Sequence, residues 1–355
     1  VNDANAVDVS NGNNEIKTFF NVLTPSAAIS PLKVNQPYEI TWISNPTIAT
    51  VPLIKLAYSK NPDDALPTWV NIMDGASTTT PNDGSFWWTV PDDITTGAVV
   101  KVRVMDAANS NAFDLSDNAF KIKGEYLISS PTNGAAFKIY DAIQNPIPHN
   151  ITWTTVGGAG GTMGTVNLIA YSTNPIDQYF RDALNNVYTL ANPLTIVSGY
   201  TNTPNASTTY SWQVPDKSSP TVVVRVINPV DTTVLKDSTG TFKIQGALTV
   251  TYPNAVNTVL VVNNPETITW NKTGSSITKA KVSYSINGLA GPWTPIVETE
   301  EGTNNDGIVT NDGSVPWTIP DLLAQPTVGM PKTNVMIKIE DPNDSTVSDT
   351  SDNAF

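Results

Sequence analysis

Three landmarks occur three times each in this 355-residue chain, in the same order, and a repeat of that kind constrains the architecture before any single residue does. The first is a segment ending in Thr-Trp: YEITW at Trp42, HNITW at Trp153 and ETITW at Trp270, 111 and 117 residues apart. The second reads NDGSFWWTVPD around Trp88, TTYSWQVPD around Trp212 and DGSVPWTIPD around Trp317. The third is an alternating segment, VKVRV, VVVRV or VMIKI, followed by the closing DNAFKIKG, TGTFKIQG and SDNAF. A catalytic motif is written once per active site, so a threefold copy predicts architecture first.

Alternation with period 2 marks these segments as strands with one buried face. Tyr38, Ile40 and Trp42 share a face, as do Ile151 with Trp153 and Ile268 with Trp270. Phe86, Trp88 and Val90 form the apolar face of the second landmark, matched by Tyr210, Trp212, Val214 and by Val315, Trp317, Ile319. Proline then stops each strand, at Pro91, Pro215 and Pro320. Val102 and Val104, Val224 and Val226, and Ile337 and Ile339 complete the inner face and leave Arg103, Arg225 and Lys338 outside. A further strand, LIKLAYS, VNLIAYS or AKVSYS, precedes Asn-Pro or Asn-Gly turns. The count of six to eight short strands in about 115 residues is that of an immunoglobulin-like sandwich. The expected fold is therefore all-β: three tandem immunoglobulin-like β-sandwich domains in a rod-like array, with Trp42, Trp88, Trp153, Trp212, Trp270 and Trp317 in the cores. The expected division is a polar N-terminal arm, flexible or ordered by a partner, over 1–18, then sandwiches over 19–124, 125–246 and 247–355. FKIKG runs directly into EYLISSP, and FKIQG into ALTVTYP, so the joints allow little hinge motion.

Composition narrows the function classes. Only 14% of residues are charged, and the formal net charge of -13 leaves no cationic surplus to neutralise phosphates, which excludes a nucleic-acid partner. The chain has no cysteine, so disulfides and thiolate metal sites are excluded and stability rests on burial. No apolar run reaches the length of a membrane span.

Taken together, ITW, the Tyr-Ser strand with its following turn, DGS-x-x-W-x-(V/I)-P-D, V-x-(R/K)-(V/I) and the Ser-Asp, Phe-Lys-Ile ending resemble a known repeat. It is the immunoglobulin-like repeat of the yeast cell-wall-synthesis, Ser-Thr-rich membrane-anchored type, found in tandem in bacterial and archaeal surface-layer and secreted surface proteins. The resemblance covers nearly all of residues 19 to 355. It implies an extracytoplasmic structural or binding module, because members occur as wall components, surface-layer subunits and spacers. The second repeat departs from the pattern by the insertion GGAGGTMG at 157 to 164. The third ends at Phe355, where its siblings continue with KIKG or KIQG. Two readings follow: the chain continues, or another subunit donates the strand, with the polar arm as donor.

Candidate chemistry is sparse. The single histidine, His149, reads as a loop residue beside a proline turn, and no Gly-x-Ser-x-Gly elbow accompanies it. No pair of carboxylates stands out as acid and nucleophile either, so no enzyme activity is expected. The acidic loops offer oxygen ligands for calcium, the one cofactor expected, at Asp83, Asp306, Asp312, Glu340, Asp341, Asp344, Asp349 and Asp352, with Asp63 and Asp64 in a further loop. The competing reading is that Asn-Asp-Gly is turn chemistry alone. Asn150, Asn205, Asn271 and Asn343 head Asn-x-Ser/Thr acceptors for glycosylation; parity turns Asn150 outward, and Asn271 is expected in a loop. Trp87 has no aromatic counterpart in the other copies and faces outward, which suits a subunit contact or stacking on a sugar. Trp69 and Trp293 are assigned to the sandwich edge. The function expected from these features is an extracellular structural protein, a segment of a cell-surface layer built by lateral contacts between copies of itself. The alternatives are an adhesin or carbohydrate-binding stalk bound to envelope glycans, and a spacer of a larger secreted protein.

Overall fold

The structure, a computed structural model, describes residues 17–26, 29–45, 51–141, 145–177, 180–296, 306–321 and 332–355. Expected positions on residues 1–16 lie outside the described residues. Among the described residues the only helix is the single 3₁₀ turn Gly288–Ala290; the rest is strand, turn and loop. The molecule is all-β, with three immunoglobulin-like sandwiches in tandem.

Each sandwich has one three-stranded antiparallel sheet with the Thr-Trp strand at its centre. In the first, Pro37–Asn45 lies between Phe19–Thr24 and Ser85–Thr89. In the second, Pro148–Val156 lies between Glu125–Ser130 and Ser207–Gln213. In the third, Pro265–Thr273 lies between Ala247–Tyr252 and Ser314–Thr318. The register repeats as well: Trp42 faces Val22, Trp153 faces Ile128 and Trp270 faces Val250. A bulge follows two residues on in every copy, at Val22/Thr24, Ile128/Ser130 and Val250/Tyr252, just ahead of the proline that ends the strand. The facing sheet is built around the paired strands Leu53–Ser59 and Lys101–Asp106, Thr165–Ser172 and Ser219–Ile227, or Lys279–Ser285 and Met336–Asp341.

Three apolar clusters result, each holding two of the repeated tryptophans. Of the inner-face positions read from parity, Ile40, Val102, Val104, Ile151, Val224, Val226, Ile337 and Ile339 are closed to solvent, while Tyr38, Phe86 and Tyr210 are half-buried against the cores. A buried indole N–H must be paired, at a cost of about 1–3 kcal/mol if it is not. The pairing is the same three times over. Trp42 Nε1 donates to Asn82 Oδ1 at 2.7 Å, Trp153 Nε1 to Asn202 Oδ1 at 2.9 Å and Trp270 Nε1 to Asn311 Oδ1 at 2.7 Å. The same asparagines donate through Nδ2 to the carbonyls of Val51, Met163 and Ile277, which fastens the two sheets together.

One repeated motif does not keep its register. Tyr58 lies opposite Val102 and Tyr284 opposite Ile337, but in the second sandwich the position opposite Val224 belongs to Ala170. A slip of one residue moves a side chain to the other face. Tyr58 and Tyr284 therefore pack on Trp88 and Trp317 at 5.4 and 5.5 Å, whereas Tyr171 turns outward, within 5.6 Å of Arg225 and hydrogen-bonded to Asp237.

Candidate functional site: the joints between sandwiches

The proline-terminated strand of the second landmark ends in Asp92 in the first sandwich and Asp216 in the second, and each aspartate reaches into the next sandwich. Asp92 Oδ1 accepts the backbone N–H of Gly158 at 2.6 Å, and Oδ2 accepts the N–H of Ala159 and the Nδ2 of Asn205, both at 3.0 Å. Asp216 Oδ1 accepts the N–H of Ser275 at 2.7 Å, and Ser275 Oγ donates to the Asp216 carbonyl. Gly158 and Ser275 are equivalent, each five residues past its Thr-Trp tryptophan. Burial pushes the Asp92 carboxyl up, but the N–H groups of Ala159 and Gly158 and the Asn205 amide outweigh it and hold the group below the usual carboxylate range.

A second contact also repeats. The lysine after the closing phenylalanine, Lys121 or Lys243, reaches an Asp-x-Thr turn of the following sandwich. Lys121 Nζ lies 2.5 Å from Asp231 Oδ2 and 3.2 Å from Thr233 Oγ1. Lys243 Nζ lies 3.0 Å from Asp344 Oδ1 and 3.3 Å from Thr346 Oγ1, and Gln245 Nε2 donates to the same carboxylate at 2.8 Å. In each turn the threonine hydroxyl donates to its aspartate. Burial raises both carboxyls; Lys121 and Thr233 for Asp231, and Thr346, Gln245 and Lys243 for Asp344, bring each below its usual value. In the first sandwich, which has no neighbour in the described residues on that side, the equivalent turn reads Asn109-Ser110-Asn111. Lys33 and Glu125 add an ion pair of 2.6 Å across the first joint. Ile94 packs against the cores of both the first and the second sandwich.

The carboxylates expected to hold calcium are spread out. Asp83, Asp306 and Asp312 are exposed and accept the N–H two residues on, from Ser85, Ile308 and Ser314, as turn caps do. Glu340 pairs with Lys338 and Lys281. Asp349 accepts the Val250 N–H at 2.8 Å, and Asp352 accepts from the Asn254 amide. Asp341 and Asp344 both line a cavity of about 380 Å³ at the second joint, with Asp177, Ser219, Gln245 and Ile277. Burial, aided by the Asp344 charge, raises the Asp341 carboxyl despite the Asn343 N–H that it accepts. Among the described residues no three His, Asp or Glu side chains gather as a metal site.

The other expected positions divide. Asn150 is exposed on the outer face of Pro148–Val156, and Asn343 is exposed beside Asp341. Asn205 is exposed but committed to the first joint, because its amide meets both Asp92 and the Gly157 N–H. Asn271 is in the strand Pro265–Thr273 rather than in a loop, because the sheet continues past Trp270 through the Thr249 pairing. His149 is likewise in a strand, Pro148–Val156; its ring stacks on Phe137 at 4.3 Å and its Nε2 meets the Lys138 carbonyl at 2.7 Å. Trp87 is 64% exposed, opposite Glu39. It shares the outer face of its sheet with Phe19, Leu23 and Ile43, also exposed. Trp69 and Trp293 precede edge strands and lie beneath Arg103 and Lys338, at 4.3 and 6.0 Å.

The joint residues carry no motif that a single repeat makes visible. The signal was there in the difference between copies, since this turn reads Asp-x-Thr in the two sandwiches that receive a neighbour and Asn109-Ser110-Asn111 in the first.

No known family matches the chain by sequence profile, and no curated protein matches it. Among solved structures, the N-terminal four Ig domains of Dscam1 isoform 4.44 align at 10% identity over 86% of this chain and 75% of that one, with a TM-score of 0.23. A marsupial T cell receptor aligns at 8% identity over 94% of this chain and 98% of that one, also at 0.23. Superpositions this loose carry no argument, and the fold rests on strand order and register. Among the described residues no helix is long and apolar enough to cross a membrane.

Proposed function

We propose that the chain is a structural segment of an extracytoplasmic surface assembly, built of immunoglobulin-like repeats of the cell-wall and surface-layer type, and without enzymatic activity. The observation that carries this reading is the doubled joint: two polar contacts, in equivalent positions, tie each sandwich to the next and restrain hinge motion. A chain selected only to present a binding loop has no need of such joints, whereas a strut that transmits load does. Scarce charge, abundant Asn, Ser and Thr and the absence of cysteine suit a secreted surface protein stabilised by burial. Lateral contact between copies is the proposed mode of assembly, with the outer sheet face around Trp87 as the contact.

That same exposed tryptophan favours the second reading, an adhesin or glycan-binding stalk, because an open indole on a sheet face stacks on sugars as well as on protein. Negative-stain microscopy of the purified chain, with calcium and with chelator, separates the two. Sheets or filaments are expected for the structural segment. A monomer at all concentrations that is retained on a glycan column, and released by Trp87→Ala, would overturn it.

A further inference from the structure

Arg103, Arg225 and Lys338 hold equivalent positions on the outer faces of the facing sheets, and two of the three meet a carboxylate there. Arg225 donates to Asp237 through Nε at 2.6 Å and Nη2 at 2.7 Å, and Lys338 pairs with Glu340. In the first sandwich Leu115 stands opposite Arg103, as Asp237 stands opposite Arg225, and Met105 takes the place of Glu340. Arg103 is held between the rings of Trp69 at 4.3 Å and Phe113 at 5.9 Å, and its Nε is closed to solvent and unpaired. Among the described residues its guanidinium meets no carboxylate. Burial lowers it from the usual arginine value, with no counter-charge to oppose the shift. Lys55 shares this face, two residues before the Ala57 that lies opposite Arg103, and it too has no ion pair among the described residues.

The opposite side of the same sandwich has the complementary lack. Glu39 lies opposite Trp87 on the outer face of the three-stranded sheet, and among the described residues its carboxylate has neither a hydrogen bond nor an ion pair. Phe19, Leu23, Ile43 and Trp87 are exposed around it. In the second and third sandwiches the pair Glu39 and Trp87 is replaced by Asn150 with Ser211 and by Thr267 with Pro316. A neighbour along the chain supplies neither missing partner in those copies. Arg225 and Lys338 are paired by carboxylates of their own sandwich, and Asn150, Ser211, Thr267 and Pro316 stay exposed although each of their sandwiches follows another.

We infer that these two faces meet each other in successive copies of the chain. The Glu39 and Trp87 face of one first sandwich packs on the Arg103 face of the next copy, Glu39 pairs with Arg103, and the exposed rings on both sides close the pair off from water. A guanidinium on a carboxylate is among the strongest of side-chain contacts, and apolar surroundings strengthen it further. A second copy is the occupant because one sandwich presents both halves of the contact and its two sister sandwiches present neither. The two faces lie on opposite sides of the sandwich, so the contact is heterologous and repeats into a row instead of closing on a pair. The inference rests on the lateral assembly proposed above and names the face that receives Trp87.

Sedimentation of the full chain over a range of concentrations tests it. Glu39→Lys and Arg103→Glu are each expected to weaken self-association about tenfold or more, because like charges then face each other. An equimolar mixture of the two variants is expected to regain it, since the reversed face of one complements the reversed face of the other. Arg103→Lys, which keeps the charge, should associate nearly as the unsubstituted chain does. If Arg103→Glu unfolds, Lys55→Glu on the same face takes its place, with a smaller loss that mixing with Glu39→Lys again restores. Association that neither reversal alters, or losses that mixing does not restore, would overturn the pairing and leave lateral assembly to another face. A chain that is monomeric at every concentration would overturn the assembly as well. Retention of such a monomer on a polyuronate column, abolished by Arg103→Glu, would assign the Arg103 face to a glycan carboxylate instead.

Discussion

The two joints share a polar frame and differ in what fills it. Asp92 and Asp216 meet the same backbone position of the next sandwich, and Lys121 and Lys243 meet the same Asp-x-Thr turn. At the first joint the lysine and aspartate side chains are each 12% exposed, Ile94 bridges two cores, and Asn205 adds a further donor to Asp92. At the second the lysine is 31% exposed, a hydroxyl pair joins Ser218 to Ser276, and a cavity of about 380 Å³ remains. The frame sets the direction of the next sandwich, and the filling sets how firmly it is held. The first joint should therefore be the stiffer of the two, and each substitution below sets one joint against the other.

The largest difference is expected from the lysines. Lys121→Met leaves the Asp231 carboxylate nearly closed to water beside the Tyr126 phenol, with Thr233 alone still donating, and should cost about 3 kcal/mol of coupling between the first two sandwiches. Lys243→Met leaves Asp344 with Gln245 and Thr346 still donating and should cost about 1 kcal/mol. Thermal unfolding of the two variants checks this ordering through the splitting of the transition. Equal effects would mean that burial at the first joint adds nothing. Next come the aspartates. Asp92→Ala strands three donors and should cost about 2 kcal/mol, and Asp216→Ala, stranding the Ser275 N–H, about half that. Spin-label distances across each joint should broaden in the same order.

Glycine reverses the ranking. A Cβ on Gly246 would lie 2.2 Å from the Thr273 carbonyl oxygen, while on Gly124 its nearest backbone contact is the Val156 oxygen at 2.8 Å; its closer contact, Met163 Sδ, belongs to a side chain that can turn away. Gly246→Ala should therefore cost about 1–2 kcal/mol and Gly124→Ala less, since overpacking against backbone has no cheap relief. Urea unfolding midpoints compare the two directly.

These contrasts also explain what could be read in advance. Parity placed Trp42, Trp153 and Trp270 inside because a strand's faces are a local property. Asn82 and Asn311 stand in Asn-Asp-Gly, which by itself predicts only a turn, yet they are buried partners of tryptophans 40 and 41 residues earlier. The joint aspartates were visible as repeated letters, but the partners of Asp92 are 66 and 67 residues away, in another repeat. The Tyr171 slip was hidden for the same reason, since register is set by the strand across the ladder. The acidic loops do not gather because their carboxylates have separate partners: Asp83, Asp306 and Asp312 cap turns, Glu340 pairs with lysines, and Asp344, Asp349 and Asp352 meet Lys243, the Val250 N–H and Asn254 about 100 residues away.

The smallest effect expected is that of acid. Asp92 and Asp231 at the first joint, and Asp344 at the second, are held below the ordinary carboxylate value of about 3.9. A depressed value in the folded state means stability that is complete above the unfolded value and is lost as pH falls through the folded one, so loosening should begin only below about pH 4. Asp341, beside Asp344, has the opposite shift: burial raises it, so its charge opposes the fold at neutral pH and its protonation favours the fold as pH falls. The second joint thus has an internal offset and the first has none. Spin-label distances recorded from pH 7 to pH 3 should broaden at the first joint and much less at the second. Asp341→Asn removes the offset without adding charge and should make the second joint follow the first. If the two joints broaden together in the unsubstituted chain, the acid response lies in the sandwiches themselves and not in the contacts between them.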